Sequence, residues 1–310
     1  MQIHYTLEDF SVLENAIATI GTFDGVHIGH QKILHTLTRL ALERNTPSVL
    51  ITFWPHPRKI LQPLSKENKL LFNLEERIQL FQEFNIDHLI VIPFDIAFSK
   101  ISPEDFIINI IKNKIGTKTL ILGYDHRFGN NREGSFEYLK TNANNYGLEL
   151  IEIPRQDIDE LAISSSRIRE AISKADFENA FKLLGHKYSL TGKVVNGEML
   201  GRKLGFPTAN IDPENEDKII PPIGVYAVFV EIHNEVFQGM LNIGTRPTVG
   251  GKKQSIEVHL FNFNQNIYQE KIKVIFIKKL REEQKFEGLE ALINQLNKDK
   301  EIAKKLLSTI

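Results

Sequence analysis

The chain has 310 residues, of which 42% are hydrophobic and 25% charged, and lysine plus arginine (38) almost balance aspartate plus glutamate (39). That length holds two ordinary domains or one large one, with apolar surface for a substantial core. The charge balance speaks against a strongly electrostatic binder of nucleic acid or membrane, and the lack of cysteine excludes disulfides and thiol nucleophiles. No basic segment followed by an apolar one opens the sequence, and no apolar run reaches spanning length, so the cytoplasm is the expected compartment.

The first motif is IATIGTFDGVHIGH, from Ile17 to His30. Ile17 to Ile20 is an apolar, β-prone run ending at Gly21, and a turn of small and polar residues leads into a helix opening near Gly29. Gly21, Gly25 and Gly29 leave room for a bulky ligand against the backbone. A helix start offers unpaired N–H groups and a partial positive charge, which suits phosphate. His27 and His30 flank that start; each can donate to phosphate oxygens and, when protonated, neutralise charge on a departing pyrophosphate. From the residues alone two other readings stay open: a zinc-binding histidine pair without further ligands nearby, or a shaped turn with two solvated histidines.

Gln31 to Arg44 then places Ile33, Leu34, Leu37, Leu40 and Ala41 at helical spacing, Pro47 breaks the pattern, and Ser48 to Trp54 reads as a buried strand. The two prolines of WPHPRKI, Trp54 to Ile60, predict an irregular loop. Leu74 to Phe84 is an amphipathic helix and His88 to Ile92 a strand; Ser102-Pro103-Glu104-Asp105 starts a helix running to about Lys112. Thr119 to Leu122 is a strand leading into GYDHRFGNNREG, Ser135 to Asn145 a helix, and Leu148 to Ile153 a strand. This alternation predicts an α/β, doubly wound parallel sheet, whose ligands sit beyond the carboxyl ends of the strands. The loops at 21–30, 54–58 and 123–134 all leave such ends. ISSSRIREAI, Ile163 to Ile172, adds serines and two arginines at a helix start, either a second phosphate site or a capped surface helix.

After a helix from Phe177 to Leu184 the pattern changes to short alternating strands: Ser189 to Val195, Val225 to Ile232, Val236 to Asn242, Ser255 to Phe263 and Lys271 to Ile277. Their spacing predicts a small antiparallel β-barrel, followed by a C-terminal helix from Leu289 to Leu307. The switch in period puts the domain boundary near Gly185, giving domains 1–184 and 185–310. In GKVVNGEMLGRKLGFPTANI the glycines let backbone wrap a phosphate, Lys193 and Arg202 supply charge, and Thr208 and Asn210 offer oxygens for a hard cation. PTAN alone is also an ordinary turn. In SIEVHLFNF, alternation puts Ile256, Val258 and Leu260 on one face and Ser255, Glu257, His259 and Phe261 on the other, where a solvated glutamate is the ordinary reading.

GTFDGVHIGH resembles the HxGH signature of flavin adenylyltransferases, SSSRIR the phosphate-holding SSTxIR element, GRKLGFPTAN the riboflavin kinase signature, and IEVH the strand that carries that kinase's catalytic glutamate. With the WPHP and GYDHRFG loops these make six motifs in one order. Nearly the whole chain therefore resembles the bifunctional bacterial riboflavin kinase/FAD synthetase. The resemblance implies a nucleotidyltransferase domain followed by a riboflavin kinase barrel. Riboflavin is phosphorylated to FMN, FMN is adenylylated to FAD with release of pyrophosphate, and two ATP are consumed with Mg2+. His27, His30, Arg169 and Glu257 would be catalytic. Gly21, Phe23, Asp24, Gly29, Asp125, Ser165, Ser166, Gly192, Lys193, Thr208 and Asn210 would bind ATP, with Thr208 and Asn210 also at the metal. His126 stands where the family commonly has phenylalanine, and Phe128 would still offer an aromatic wall. A nucleotidyltransferase of another substrate and a flavin-sensing protein without turnover are the competing readings; no nucleic-acid or membrane partner is expected.

Overall fold

The computed structural model describes residues 1–61, 69–124, 128–129, 134–154, 163–197, 200–215, 217–248 and 251–310. They fall into two compact units, Met1–Ser165 and Ser166–Ile310.

The first unit is built on β1 (Gln2–His4), β2 (Ala16–Ile20), β3 (Ser48–Trp54), β4 (His88–Pro93), β5 (Thr117–Gly123) and β6 (Glu149–Ile153). These strands form a parallel sheet in the order β1-β4-β3-β2-β5-β6. Its helices are α1 (Ile28–Arg44), α2 (Pro57–Leu61), α3 (Leu74–Gln82), α4 (Pro103–Asp105), which runs on as a π-helix over Phe106–Lys114, and α5 (Phe136–Tyr146). Alternate strand residues serve opposite faces. Ile17, Leu50, Leu89, Val91 and Ile121 pack with Leu34 and Leu37 of α1 and Ile78 and Phe81 of α3. Ala18, Ile20, Val49, Ile51, Ile90 and Leu120 pack with Phe106, Ile107 and Ile111 of the π-helix and Leu139 of α5. Each such aliphatic side chain taken fully out of water stabilises the fold by about 2 kcal/mol. Burial on both faces is why these strands read as unbroken apolar runs. β2 lies between β3 and β5, where the winding reverses direction, so its carboxyl end opens onto the crevice such sheets use for ligands.

The helix α6 (Ser165–Ser173) begins at the division, and α7 (Phe177–Leu184) ends at Gly185 in the left-handed conformation (φ 78°). Then follow β7 (Ser189–Val195), α8 (Leu200–Lys203), β8 (Ala209–Asp212), β9 (Gly224–Ile232), β10 (Glu235–Thr248), β11 (Gly251–Leu260), β12 (Lys271–Arg281) and α9 (Leu289–Leu307). The strands close an antiparallel barrel in the order β10-β11-β8-β7-β12-β9. His233 and Asn234, both with positive φ, make the two-residue turn between β9 and β10. Val228, Val230, Ile243, Val258 and Val274 are fully buried. On another face, Ala303 and Leu307 of α9 cluster with Ala227, Met240, Phe206 and Phe261, and Arg281 on β12 grips Asp299 of α9 at 2.8–3.1 Å.

Both architectures match the sequence reading. Among the described residues β1, α2, α8, β8 and a 3₁₀ turn at Phe98–Lys100 went unread. The loop expected after Trp54 is a cis Trp54-Pro55 peptide followed directly by α2. The compact units divide at Ser165, and α7 lies with the barrel, where Phe177 stacks on Phe276 of β12 with ring centroids 5.3 Å apart. No helix among the described residues is long and apolar enough to cross a membrane.

Candidate active sites

The first site grows from the carboxyl end of β2. Between Ile20 and α1 the chain turns through positive φ at Phe23 (47°), Gly25 (97°) and Val26 (42°), of which glycine alone is at ease there. The turn is held by its own side chains. The Phe23 ring is buried, edge-on to His30 at 5.1 Å and to Phe81 at 5.9 Å. Gly21 makes room for it, since a Cβ there would lie 3.0 Å from that ring. His27 is the N-cap of α1: its Nδ1 accepts the backbone N–H of His30 at 3.3 Å. The two imidazoles stack, 3.6 Å apart and 14° from parallel. Stacked rings send their in-plane lone pairs out side by side, not toward one point, and among the described residues no three His, Cys, Asp or Glu side chains cluster for a metal. The stacking, with His27 Nδ1 committed to the helix cap, argues against the zinc reading.

His30 is half-buried and its Nδ1 is enclosed without a hydrogen-bond partner among the described residues. Burial, then the neighbouring His27 and Arg77, hold its pKa well below the ordinary 6.5. Of the two forms open to it in the sequence, the fold selects the neutral imidazole. Asp24 is buried, and its Oδ1 accepts the N–H groups of Leu71 (3.0 Å) and Phe72 (3.3 Å), while its carbonyl accepts the Ser165 hydroxyl at 2.9 Å. Gly29 is buried in the first turn of α1. Ser166 is exposed and Arg169 buried, both on α6 in the second unit. Asp125 and His126 lie outside the described residues. Phe128, expected as an aromatic wall for the nucleotide, is instead buried against Phe106 in the sheet's core, 5.5 Å between centroids. Arg77 was missed: it sits on the apolar stripe Leu74, Arg77, Ile78, Phe81 of α3, and a charge at the i+3 position of such a stripe was the available signal.

The second site lies where β8 meets β11. Asn210 stands opposite Glu257 in the ladder, and the Thr208 hydroxyl donates to Glu257 Oε2 at 3.1 Å. A hydroxyl that gives its proton to a carboxylate keeps its lone pairs for something else. With the Asn210 amide oxygen they make a pair of neutral hard ligands of the kind Mg2+ accepts beside phosphate oxygens and water. These residues fit the cation. Gly197, which the sequence reading did not single out, abuts Asn210: a Cβ there would fall 1.9 Å from the Asn210 amide nitrogen. Gly192 is packed against the Asp212 carbonyl, and Lys193 pairs across strands with Asp212 on one side and Lys271 on the other. Arg202 is exposed.

Two residues beyond Glu257 and on its face, His259 donates from Nδ1 to the Pro207 carbonyl at 2.8 Å. This face is not solvated as alternation suggested: His259 and Phe261 are both buried. Phe206 packs at 5.3 Å from the His259 ring, and Lys300 and Lys304 of α9 lie over the Phe206 and Phe261 rings. Burial lowers the His259 pKa most, with Lys300 acting in the same sense and the Pro207 bond opposing.

A family model described as FAD synthetase matches residues 9–167, and one described as riboflavin kinase matches residues 184–307. The chain is 40% identical over 301 residues to a bifunctional riboflavin kinase/FMN adenylyltransferase of Buchnera aphidicola subsp. Schizaphis graminum, covering 96% of this chain and 95% of that protein. It is 36% identical to the Bacillus subtilis protein of the same name, covering 95% and 93%. A crystal structure named as a macrolide-efflux protein from Streptococcus pneumoniae has the same fold, with TM-score 0.86 and 30% identity over 97% of this chain and 98% of that one. With both family models placed on the two units and relatives of this identity along nearly the whole length, the chain belongs to the bifunctional riboflavin kinase/FMN adenylyltransferases.

Proposed function

We propose that the family's two activities are divided between residues 1–184, which adenylylate FMN, and residues 185–310, which phosphorylate riboflavin. The observation that carries the assignment is the bond from Thr208 to Glu257, which ties the PTAN segment to the IEVH strand. In the kinase, Glu257 takes the proton of the ribityl hydroxyl as its oxygen attacks the γ-phosphorus of ATP, and the bond to the β-phosphate oxygen breaks, leaving FMN and ADP. Thr208 and Asn210 would hold Mg2+, which supplies charge neutralisation to the phosphates when bound. Lys193 and the Gly192 backbone would bind the same ATP.

In the adenylyltransferase, an FMN phosphate oxygen attacks the α-phosphorus of a second ATP and pyrophosphate leaves. The free N–H groups opening α1, with His27 and His30, receive the charge developing on the leaving group. His30 arrives neutral, so it acts there as a hydrogen-bond donor. Ser165, Ser166 and Arg169 hold phosphate oxygens. Neither transfer needs a covalent enzyme intermediate; positioning and charge neutralisation suffice. Riboflavin, FMN, FAD and ATP are the proposed small-molecule partners, and the cytoplasm the proposed compartment.

Incubation of the protein with riboflavin, ATP and magnesium, with the flavins separated over time, tests this reading. FMN should rise first and FAD follow at its expense. FMN that accumulates without conversion would remove the adenylyltransferase assignment, and unchanged riboflavin beside FAD made from added FMN would remove the kinase assignment. No product from either substrate would leave a flavin-binding protein without turnover.

A further inference from the structure

Arg77 is 1% exposed, and its guanidinium is used on one side only. Nη1 donates to the Thr22 carbonyl at 2.5 Å and to the Thr52 hydroxyl at 3.3 Å, and the group lies over the Trp54 ring at 5.4 Å. Nε and Nη2 are enclosed without a hydrogen-bond partner among the described residues. Burying a cation with two unpaired donors is costly, and a lysine or an apolar residue would fill the same stripe of α3 more cheaply. Burial lowers the Arg77 pKa to about 10, against the opposing pull of Asp24.

What the arginine does lies in the turn it holds. Thr22 opens the turn that ends at His27, and Asp24, two residues on, is fastened to the N–H groups of Leu71 and Phe72. The segment 71–77 therefore grips the turn twice, by backbone donors taking a carboxylate and by a guanidinium taking a carbonyl. Arg77 is also close enough for its charge to act on His30, whose enclosed Nδ1 has no partner either. A proton on that nitrogen would be a buried donor without an acceptor, in the field of the Arg77 cation. The neutral ring therefore carries its proton on Nε2.

We propose that Arg77 is a positioning residue for adenylyl transfer, fixing the turn from Thr22 to His27 and holding the His30 ring as its Nε2–H tautomer. The inference rests on the first unit being the adenylyltransferase. Arg77 touches no reacting atom; it acts through the turn and the ring.

The test uses the full-length protein as wild type, R77M, R77K and T52V. FAD formation from FMN, ATP and magnesium is resolved into kcat and KM, with riboflavin phosphorylation by the same preparations as internal control, and thermal melting recorded. R77M should lower kcat for FAD formation by about 30-fold or more with KM for FMN and ATP within about threefold, the pattern of misplaced catalytic groups. R77K, which keeps the charge but not the fork, should recover about a third of that loss on a logarithmic scale, and T52V, which removes one partner of an intact guanidinium, should cost about threefold. Kinase turnover should stay at the wild-type level throughout. A folded R77M with kcat within about twofold of wild type overturns the proposal, as does an equal loss in both reactions, which would make Arg77 a core residue only. If R77M does not fold, R77K and T52V decide, and wild-type kcat in both overturns it. Wild-type protein that forms no FAD would instead remove the adenylyltransferase reading.

Discussion

The two units hold their candidate nucleotide loops in different ways. In the first, Asp24 and Arg77 fasten the loop from behind the turn, while the candidate catalytic pair, His27 and His30, stands at the helix start, with His27 also capping it. In the second, one strand does both. Glu257, the expected base, is also the acceptor that ties down Thr208, and His259 on the same face holds Pro207. A parallel sheet delivers its loops from strand ends and has to brace them from elsewhere, whereas a barrel strand can lie along the loop it serves. In the second unit, therefore, only a substitution at Glu257 that keeps an acceptor for Thr208 can part the anchor from the proposed chemistry.

The largest effect expected is that of Glu257→Gln. The amide keeps an oxygen for the Thr208 hydroxyl, so the loop stays tied while the proton acceptor is gone. Riboflavin kinase kcat should fall by roughly 10²–10⁴, with ATP and riboflavin KM little changed and FAD formation from added FMN intact. A kcat within about twofold in a folded protein would return Glu257 to an ordinary strand residue. Next is His30→Ala, which should reduce FAD formation from FMN by about 10²–10³ and spare the kinase, as loss of one preorganised donor does. Equal injury to both reactions would mean a folding defect.

His259 sharpens the comparison, since it anchors without facing the phosphates. His259→Ala should raise the kinase KM for ATP about fivefold, the worth of one hydrogen bond, and His259→Asn, which offers a donor near the Nδ1 position, should restore most of it. An unaltered KM in the alanine variant would show that Pro207 needs no anchor. The smallest effect is on stability against pH. His30, His88 and His259 all have folded pKa values below 6.5, each mainly through burial. Below pH 6.5 the unfolded chain binds protons that the folded chain refuses, so stability declines as pH falls through that window and is unaffected by these groups above it. The melting temperature should therefore drop between pH 7 and pH 5.5, and a flat profile would contradict the burial of these rings.

Much of this was legible in the sequence, for identifiable reasons. Ser48–Trp54 was read with its final bounds because both faces of that strand are covered and the run is unbroken. The change to alternating strands after Tyr188 marked the barrel. What could not be read depended on partners distant in sequence or on segments too short to show a period. β1 and β8 have three and four residues, below any usable alternation. Histidine is not a usual cap, so His27 was read for its chemistry and not for the Nδ1 acceptor that starts α1. Phe128 was read as part of a loop, but its neighbour Phe106 is 22 positions earlier and draws it into the core. The face of β11 that carries Glu257 looked solvent-facing because α9, which covers its far end, begins 32 residues later, at Leu289.

The cover that α9 gives has a consequence for the order in which the protein is made. Domains fold as their residues leave the ribosome. Once residues 1–165 have emerged, every strand and brace of the parallel sheet is present. The barrel has no such early finish: Phe206, beside the PTAN segment, finds Ala303 and Leu307 about a hundred positions later. A nascent chain halted before α9 would carry the finished parallel-sheet unit, the proposed site of FAD formation, joined to a barrel whose PTAN segment is still unbacked. The reaction that comes second in the chemistry would then be the first to become available in the life of the molecule.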